Sequence, residues 1–178
     1  FISGPGKVLT TLEAPGRRHL TLDAQRFAPG RQAEGVFLYP AHFCRDCGQE
    51  YFPTWQSRQR PFNFTPREID DVSAEDGEDV PYGFLCPVTP GQQYGGGIED
   101  LPENWLDFSR NDVKVKPPYK NAVPYQATIN ARGCEGSGET FWFVPGKFRF
   151  CINCGVAHEA RGKDANRLSS LSGGGRSS

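Results

Sequence analysis

Short runs in which apolar and polar side chains alternate dominate the N-terminal part of the chain, a period of two that predicts strands rather than helices. Val8-Leu9-Thr10-Thr11-Leu12 and His19-Leu20-Thr21-Leu22 flank Ala14-Pro15-Gly16-Arg17-Arg18, whose proline and glycine mark a turn between two strands. Val36-Phe37-Leu38-Tyr39 leads through Pro40 into Cys44, and Tyr51-Phe52-Pro53-Thr54-Trp55 leads away from Cys47. The same arrangement recurs near the other end: Phe141-Trp142-Phe143-Val144, a turn at Pro145-Gly146, then Phe148-Arg149-Phe150 running into Cys151. Between these blocks, Val113-Lys114-Val115-Lys116 and Tyr125-Gln126-Ala127-Thr128-Ile129 read as further strands. Leu101-Pro102-Glu103-Asn104-Trp105-Leu106 reads as a short helix, with proline tolerated in its first turn. From Ala160 to Leu171 the chain is polar and helix-compatible, and Gly173-Gly174-Gly175 ends that segment.

Two copies of one motif sit where these strands turn: Cys44-Arg45-Asp46-Cys47-Gly48 and Cys151-Ile152-Asn153-Cys154-Gly155. Each puts two thiols on a tight turn, with glycine where the backbone must become left-handed. Two such knuckles facing each other make a tetrahedral site of four sulfurs, the ligand set of structural zinc, closed to substrate and serving the fold. We therefore expect one Zn2+ held by Cys44, Cys47, Cys151 and Cys154. Iron in a rubredoxin-type centre would use the same paired knuckles. Cys86 and Cys134 are isolated and read as buried or partly buried thiols, and His42 and His158 as surface or supporting groups rather than ligands.

The knuckles lie about a hundred residues apart, far beyond ordinary ribbon spacing, so a long insertion, roughly residues 56–140, is expected between them. It opens with Glu68 to Asp79, an acidic run without a basic residue, which reads as a solvated loop. The expected fold class is mainly β with a little α: a zinc-ribbon-like four-cysteine site closing a loop-rich β domain over residues 1–160, with 161–178 as a connector.

Composition sharpens this picture. In 178 residues there are 21 glycines and 15 prolines, and only 37% of positions are hydrophobic. Mean hydropathy is −0.58. Thirteen Phe, six Tyr and three Trp must therefore supply much of the core. A formal net charge of −1 makes no bulk claim on nucleic acid. No apolar run approaches the roughly 20 residues of a membrane span, and no secretory signal opens the chain, so no membrane partner is expected. Paired thiol knuckles point to a reducing compartment, the cytoplasm. Methionine is absent, even at position 1, and the chain stops at Ser177-Ser178 without a closing element, so a piece of a longer polypeptide is expected.

No catalytic constellation emerges. Gly4-Pro5-Gly6-Lys7 lacks the remaining glycine and the Ser/Thr of a phosphate-binding loop. The acidic run has no His or Cys partner. Lys147, Arg149, Arg161, Lys163 and Arg167, with the rings of Phe148 and Phe150 nearby, are candidates for contact with nucleic-acid phosphates and bases.

His42-Phe43-Cys44-Arg45-Asp46-Cys47-Gly48-Gln49-Glu50-Tyr51, Leu101-Pro102-Glu103-Asn104-Trp105, Val144-Pro145-Gly146-Lys147-Phe148-Arg149-Phe150-Cys151 with Cys154-Gly155, and the closing Arg167–Ser178 segment together form a pattern. It resembles the cysteine-rich insertion within large bacterial DEAD/DEAH-box helicases of superfamily 2, some encoded in phage-defence regions. The resemblance spans most of the chain and is specific at the knuckles and the tail. It implies that the four cysteines are zinc ligands and that Arg176 falls at the start of a second motor lobe. It further implies a parent ATP-dependent helicase, of which this chain is a non-catalytic accessory module. The implied partners are the rest of that helicase, single- or double-stranded DNA, and a possible partner subunit. Two other readings of the residues stand beside it: a stand-alone zinc-ribbon module for protein interaction, and a rubredoxin-like electron carrier.

Overall fold

The alternation along the aromatic strands is used on both of its phases. A computed structural model describes residues 8–13, 16–21, 26–31, 33–69, 81–109, 111–158 and 168–169. Its strands are β1 (Val8–Thr10), β2 (Leu20–Thr21), β3 (Tyr39–Cys44), β4 (Glu50–Gln56), β5 (Phe64–Pro66), β6 (Tyr82–Pro87), β7 (Leu106–Asp107), β8 (Lys114–Val115), β9 (Tyr125–Ile129), β10 (Glu139–Pro145) and β11 (Leu168–Ser169). The main sheet is antiparallel in the order β2-β1-β3-β4-β6-β10-β9, with β5 also on β4 and β11 also on β3. β7 and β8 make a separate two-stranded ribbon. The mainly β class with a four-cysteine cluster is as the sequence implies.

Because successive side chains on a strand point to opposite faces, the central strands feed two cores. Tyr51, Phe84, Cys86, Trp142 and Val144 lie on one face. Phe52, Leu85, Phe141 and Phe143 lie on the other. The first face is covered by the insertion through Tyr94, Leu101, Trp105, Leu106 and Ala122, and by Phe148, Phe150, Cys151 and Ile152 around the second knuckle. The second face is covered by Val8, Leu12, Tyr39, Ala41 and Phe64. Aromatic rings set the geometry of both layers, as the composition requires: Tyr51 meets Phe148 edge-on at 4.8 Å, and Phe64 meets Phe143 at 5.2 Å.

Gly83 on β6 shows how tight the sheet is. A Cβ there would strike the Val144 carbonyl and the Phe143 ring, so only glycine fits. Beside it, Arg67 is 2% exposed, and its guanidinium donates to the carbonyls of Thr54, Glu68, Ile69 and Gly83 at 2.9–3.2 Å. It thereby fixes the point where the acidic run leaves the sheet.

Several local expectations are shortened by tertiary context. The helix expected at Leu101–Leu106 is a single 3-10 turn, Glu103–Trp105, closed by Trp105 N–H donating to the Pro102 carbonyl at 2.9 Å. Phe148-Arg149-Phe150 contributes one isolated bridge, Phe150 with Ala157, in place of a strand. In the helix-compatible tail, Leu168 and Ser169 are extended and pair with Cys44 and Phe43. There the buried Leu168 side chain fills the core that also holds Cys44 and Cys151, a long-range contact that outweighs local propensity. Of the acidic run, only Glu68 and Ile69 fall within the described residues, and Arg161, Lys163 and Arg167 fall outside them.

Candidate metal centre

The two knuckles are built alike. In the first, which is the β3–β4 hairpin loop, Gly48 N–H donates to the Cys44 carbonyl at 2.8 Å, and Cys44 N–H donates to the Gln49 carbonyl at 2.9 Å. In the second, Gly155 N–H donates to the Cys151 carbonyl at 2.9 Å, and Cys151 N–H donates to the Val156 carbonyl at 3.0 Å. Gly48 (φ 81°) and Gly155 (φ 79°) are both left-handed, a conformation that would cost a residue with a Cβ about 1–2 kcal/mol. The Asp46 and Cys47 amides hydrogen-bond the Cys44 sulfur, and the Asn153 and Cys154 amides hydrogen-bond Cys151. Each turn therefore directs two backbone amides at its first sulfur.

The fold brings the turns face to face. Cys44 Sγ lies 3.8 Å from Cys154 Sγ, and Cys47 Sγ lies 3.6 Å from Cys151 Sγ. All four ligand atoms lie within 4.8 Å of one another. A tetrahedron of sulfurs around a zinc ion, with Zn–S of about 2.3 Å, has edges of about 3.8 Å. The separations fit that figure and are far from the S–S bond of about 2.05 Å. All six cysteines are unbridged. Four cysteines this close could hold a metal ion in a closed, structural site.

A second layer of contacts holds the knuckles in register. Tyr51, fully buried on β4, donates its hydroxyl to Cys151 Sγ at 3.2 Å and accepts Ile152 N–H at 2.8 Å. The insertion joins in: Gln93 N–H donates to the Asn153 carbonyl at 3.2 Å, and Tyr94 N–H donates to the Ile152 carbonyl at 2.9 Å. Gln92 Nε2 donates to Gln49 Oε1 at 3.2 Å and to the Pro87 carbonyl at 2.9 Å, while its Oε1 accepts Trp142 Nε1–H at 3.2 Å. Residues 92–94 thus touch both knuckles, which sequence reasoning missed. Glutamines in a loop carry no spacing signal.

Exposure and electrostatics make the ligands unequal. Burial pushes the Cys44 thiol up to about 11 and raises Cys151 as well. At Cys47, burial is outweighed by hydrogen bonds from the Asn153 side chain, the Gln49 backbone and the neighbouring thiols, so its value falls. Cys47 is also the exposed member of the set. A metal binding here displaces protons from Cys44 and Cys151, which makes affinity rise with pH.

Cys86 stands near the site without belonging to it. It is fully buried, with its sulfur accepting Gln92 Nε2–H at 3.8 Å. Cys134 lies in the loop bridged to Asn63. Of the basic candidates, Lys147 is half-buried, and the Arg149 guanidinium sits 6.0 Å from the Tyr119 ring. Phe148 and Phe150 are buried at 0% and 1% exposure, so these rings belong to the core and are not available for base stacking. Among the described residues no helix is long and apolar enough to cross a membrane. No family model, no curated protein and no solved structure matches this chain.

Proposed function

We propose that Cys44, Cys47, Cys151 and Cys154 bind one structural Zn2+, and that the domain is a non-catalytic accessory module of an ATP-dependent helicase. The observation behind the metal assignment is the sulfur quartet, with edges near the zinc–thiolate tetrahedron and every thiol contributed by a paired Cys-x-x-Cys-Gly turn. Zinc suits a site with four protein ligands and no substrate position, since it is redox-inert and tetrahedral. Its work here is mechanical. It ties together two segments 104 residues apart and so removes much of the loop-closure entropy of the unfolded chain. A reduced thiolate site belongs in the cytoplasm.

The helicase setting is supported by the resemblance of the knuckles, the Leu101–Trp105 patch and the tail to such insertions. The module would hold nucleic acid or a partner subunit against the motor. Elemental analysis with thiol counting tests the metal assignment. One zinc per chain and four thiols exposed on chelation are expected. Iron with visible absorption would make the site an electron carrier. Metal-free protein with bridged cysteines would overturn the assignment.

A further inference from the structure

From Val113 to Cys134 the insertion carries Lys114, Lys116, Lys120 and Arg132 and not one carboxylate. Folding concentrates the lysines. Lys114 and Lys116 are two residues apart in extended chain and share a face, and Lys120 lies in the 3-10 segment Pro117–Ala122 that follows. All three are exposed, and among the described residues none is in an ion pair. Two carboxylates adjoin them: Asp107, which pairs with Lys114 across the ribbon and is engaged by the backbone and hydroxyl of Ser109 at 2.9 and 2.6 Å, and exposed Asp112, two residues before Lys114.

The platform under these lysines is rigid. Lys116 N–H donates to the Trp105 carbonyl at 2.7 Å, and Tyr119 N–H donates to the Lys116 carbonyl at 2.9 Å. The Tyr119 ring stacks on buried Trp105 at 4.9 Å with planes 8° apart, and Arg149 comes up to the same ring from the second knuckle. Beyond the last ladder pair, Phe108 is 58% exposed and Val113 38%. Among the described residues Phe108 is the most exposed large hydrophobic, held just past the ribbon's last ladder pair beside Ser109.

We propose that the β7–β8 ribbon and the 3-10 segment after it bind single-stranded nucleic acid, with Lys114, Lys116 and Lys120 on the phosphates and Phe108, just past the last ladder pair, stacking on an unpaired base. Clustered cations and an exposed ring on one short ribbon are what a flexible strand with accessible base faces can use, whereas a duplex hides those faces. The inference rests on the reading of the domain as a module of a nucleic-acid motor and gives that reading a contact surface.

The test is fluorescence anisotropy of labelled oligothymidylate with the zinc-loaded chain at two salt concentrations. With three phosphate contacts, a fourfold rise in salt should weaken binding roughly 20-fold. Lys114→Ala/Lys116→Ala/Lys120→Ala should weaken binding and flatten that dependence. Phe108→Ala should weaken binding about fivefold or more at both salts and leave the slope alone. All four side chains are exposed, so zinc content and melting temperature should stay at wild-type values and serve as the folding control. Wild-type binding that neither variant changes would place the contact elsewhere and overturn the proposal. So would failure of the zinc-loaded chain to bind the strand, or equal binding to duplex with Phe108→Ala silent. Zinc content, measured on the same samples, judges the metal assignment separately.

Discussion

Tyr51 and Cys151 are 100 residues apart in sequence, and the tyrosine hydroxyl donates to the cysteine sulfur at 3.2 Å. The same oxygen accepts Ile152 N–H, so one side chain of β4 holds both the sulfur and the backbone of the second knuckle. Tyr51→Phe would keep the ring among Phe84 and Phe148 but leave the Ile152 amide without its acceptor. We expect a loss of about 1–3 kcal/mol in stability and zinc affinity lower by about 10–100-fold. Competition against a chromogenic chelator, beside thermal melting, checks both. Unchanged affinity would show that the hydroxyl does not support the site.

Cys47→Ser and Cys154→Ser each remove one corner of the tetrahedron, from different knuckles. Both are expected to abolish stoichiometric zinc and to lower the melting temperature sharply, since binding free energy at such a site is folding free energy. Cys86→Ala, at a fully buried thiol outside the quartet, should melt somewhat lower and still carry one zinc per chain. Metal analysis of the three variants separates a ligand from a core thiol.

Alkaline pH should destabilise the domain through buried tyrosines. Tyr39 is fully buried and donates to the Phe64 carbonyl at 2.6 Å, and burial raises its pKa. The folded state keeps the phenol neutral, whereas the unfolded chain ionises near pH 10. The stabilising contribution is therefore complete below about pH 10 and declines as pH rises beyond it. Melting temperature should fall between about pH 9 and 11. Tyr39→Phe should be less stable at neutral pH by about 1–3 kcal/mol and show a shallower alkaline decline.

The metal quartet was legible because its signal is local. Two cysteines, two spacers and a glycine specify a turn wherever they occur, and Cys44–Gly48 and Cys151–Gly155 form the same hydrogen bonds. The strands around Tyr51 and Phe143 were legible from alternation, but their facing partners were not. On these strands both phases are apolar, so the pattern cannot say that Tyr51 and Phe52 serve different cores. The pairing of Leu168 with Cys44 had no signature, because a two-residue strand is defined by its partner. Phe148 and Phe150 could be read as surface rings or core rings, and only the cover provided by Tyr51, Phe84, Tyr94 and Trp105 decides for the core. The basic stretch at Lys114–Lys120 is as dense in sequence as that at Arg161–Arg167, and its exposure became legible only with the fold.

The sheet with two buried faces means that the molecule has an unequal division of labour between its halves. On the proposed assignment one side would be tied to a metal ion, and the other is held by packing and by hydrogen bonds such as that from Tyr39 to the Phe64 carbonyl. If the quartet holds zinc as proposed, withdrawing the ion would loosen Tyr51, Phe148 and Ile152 first, while Phe52, Phe64 and Phe143 would keep their neighbours on the far side. The Lys114–Tyr119 platform leans on Trp105, which belongs to the metal side. Were zinc bound there, a change in its supply would be felt at that platform before it reached the other half of the domain.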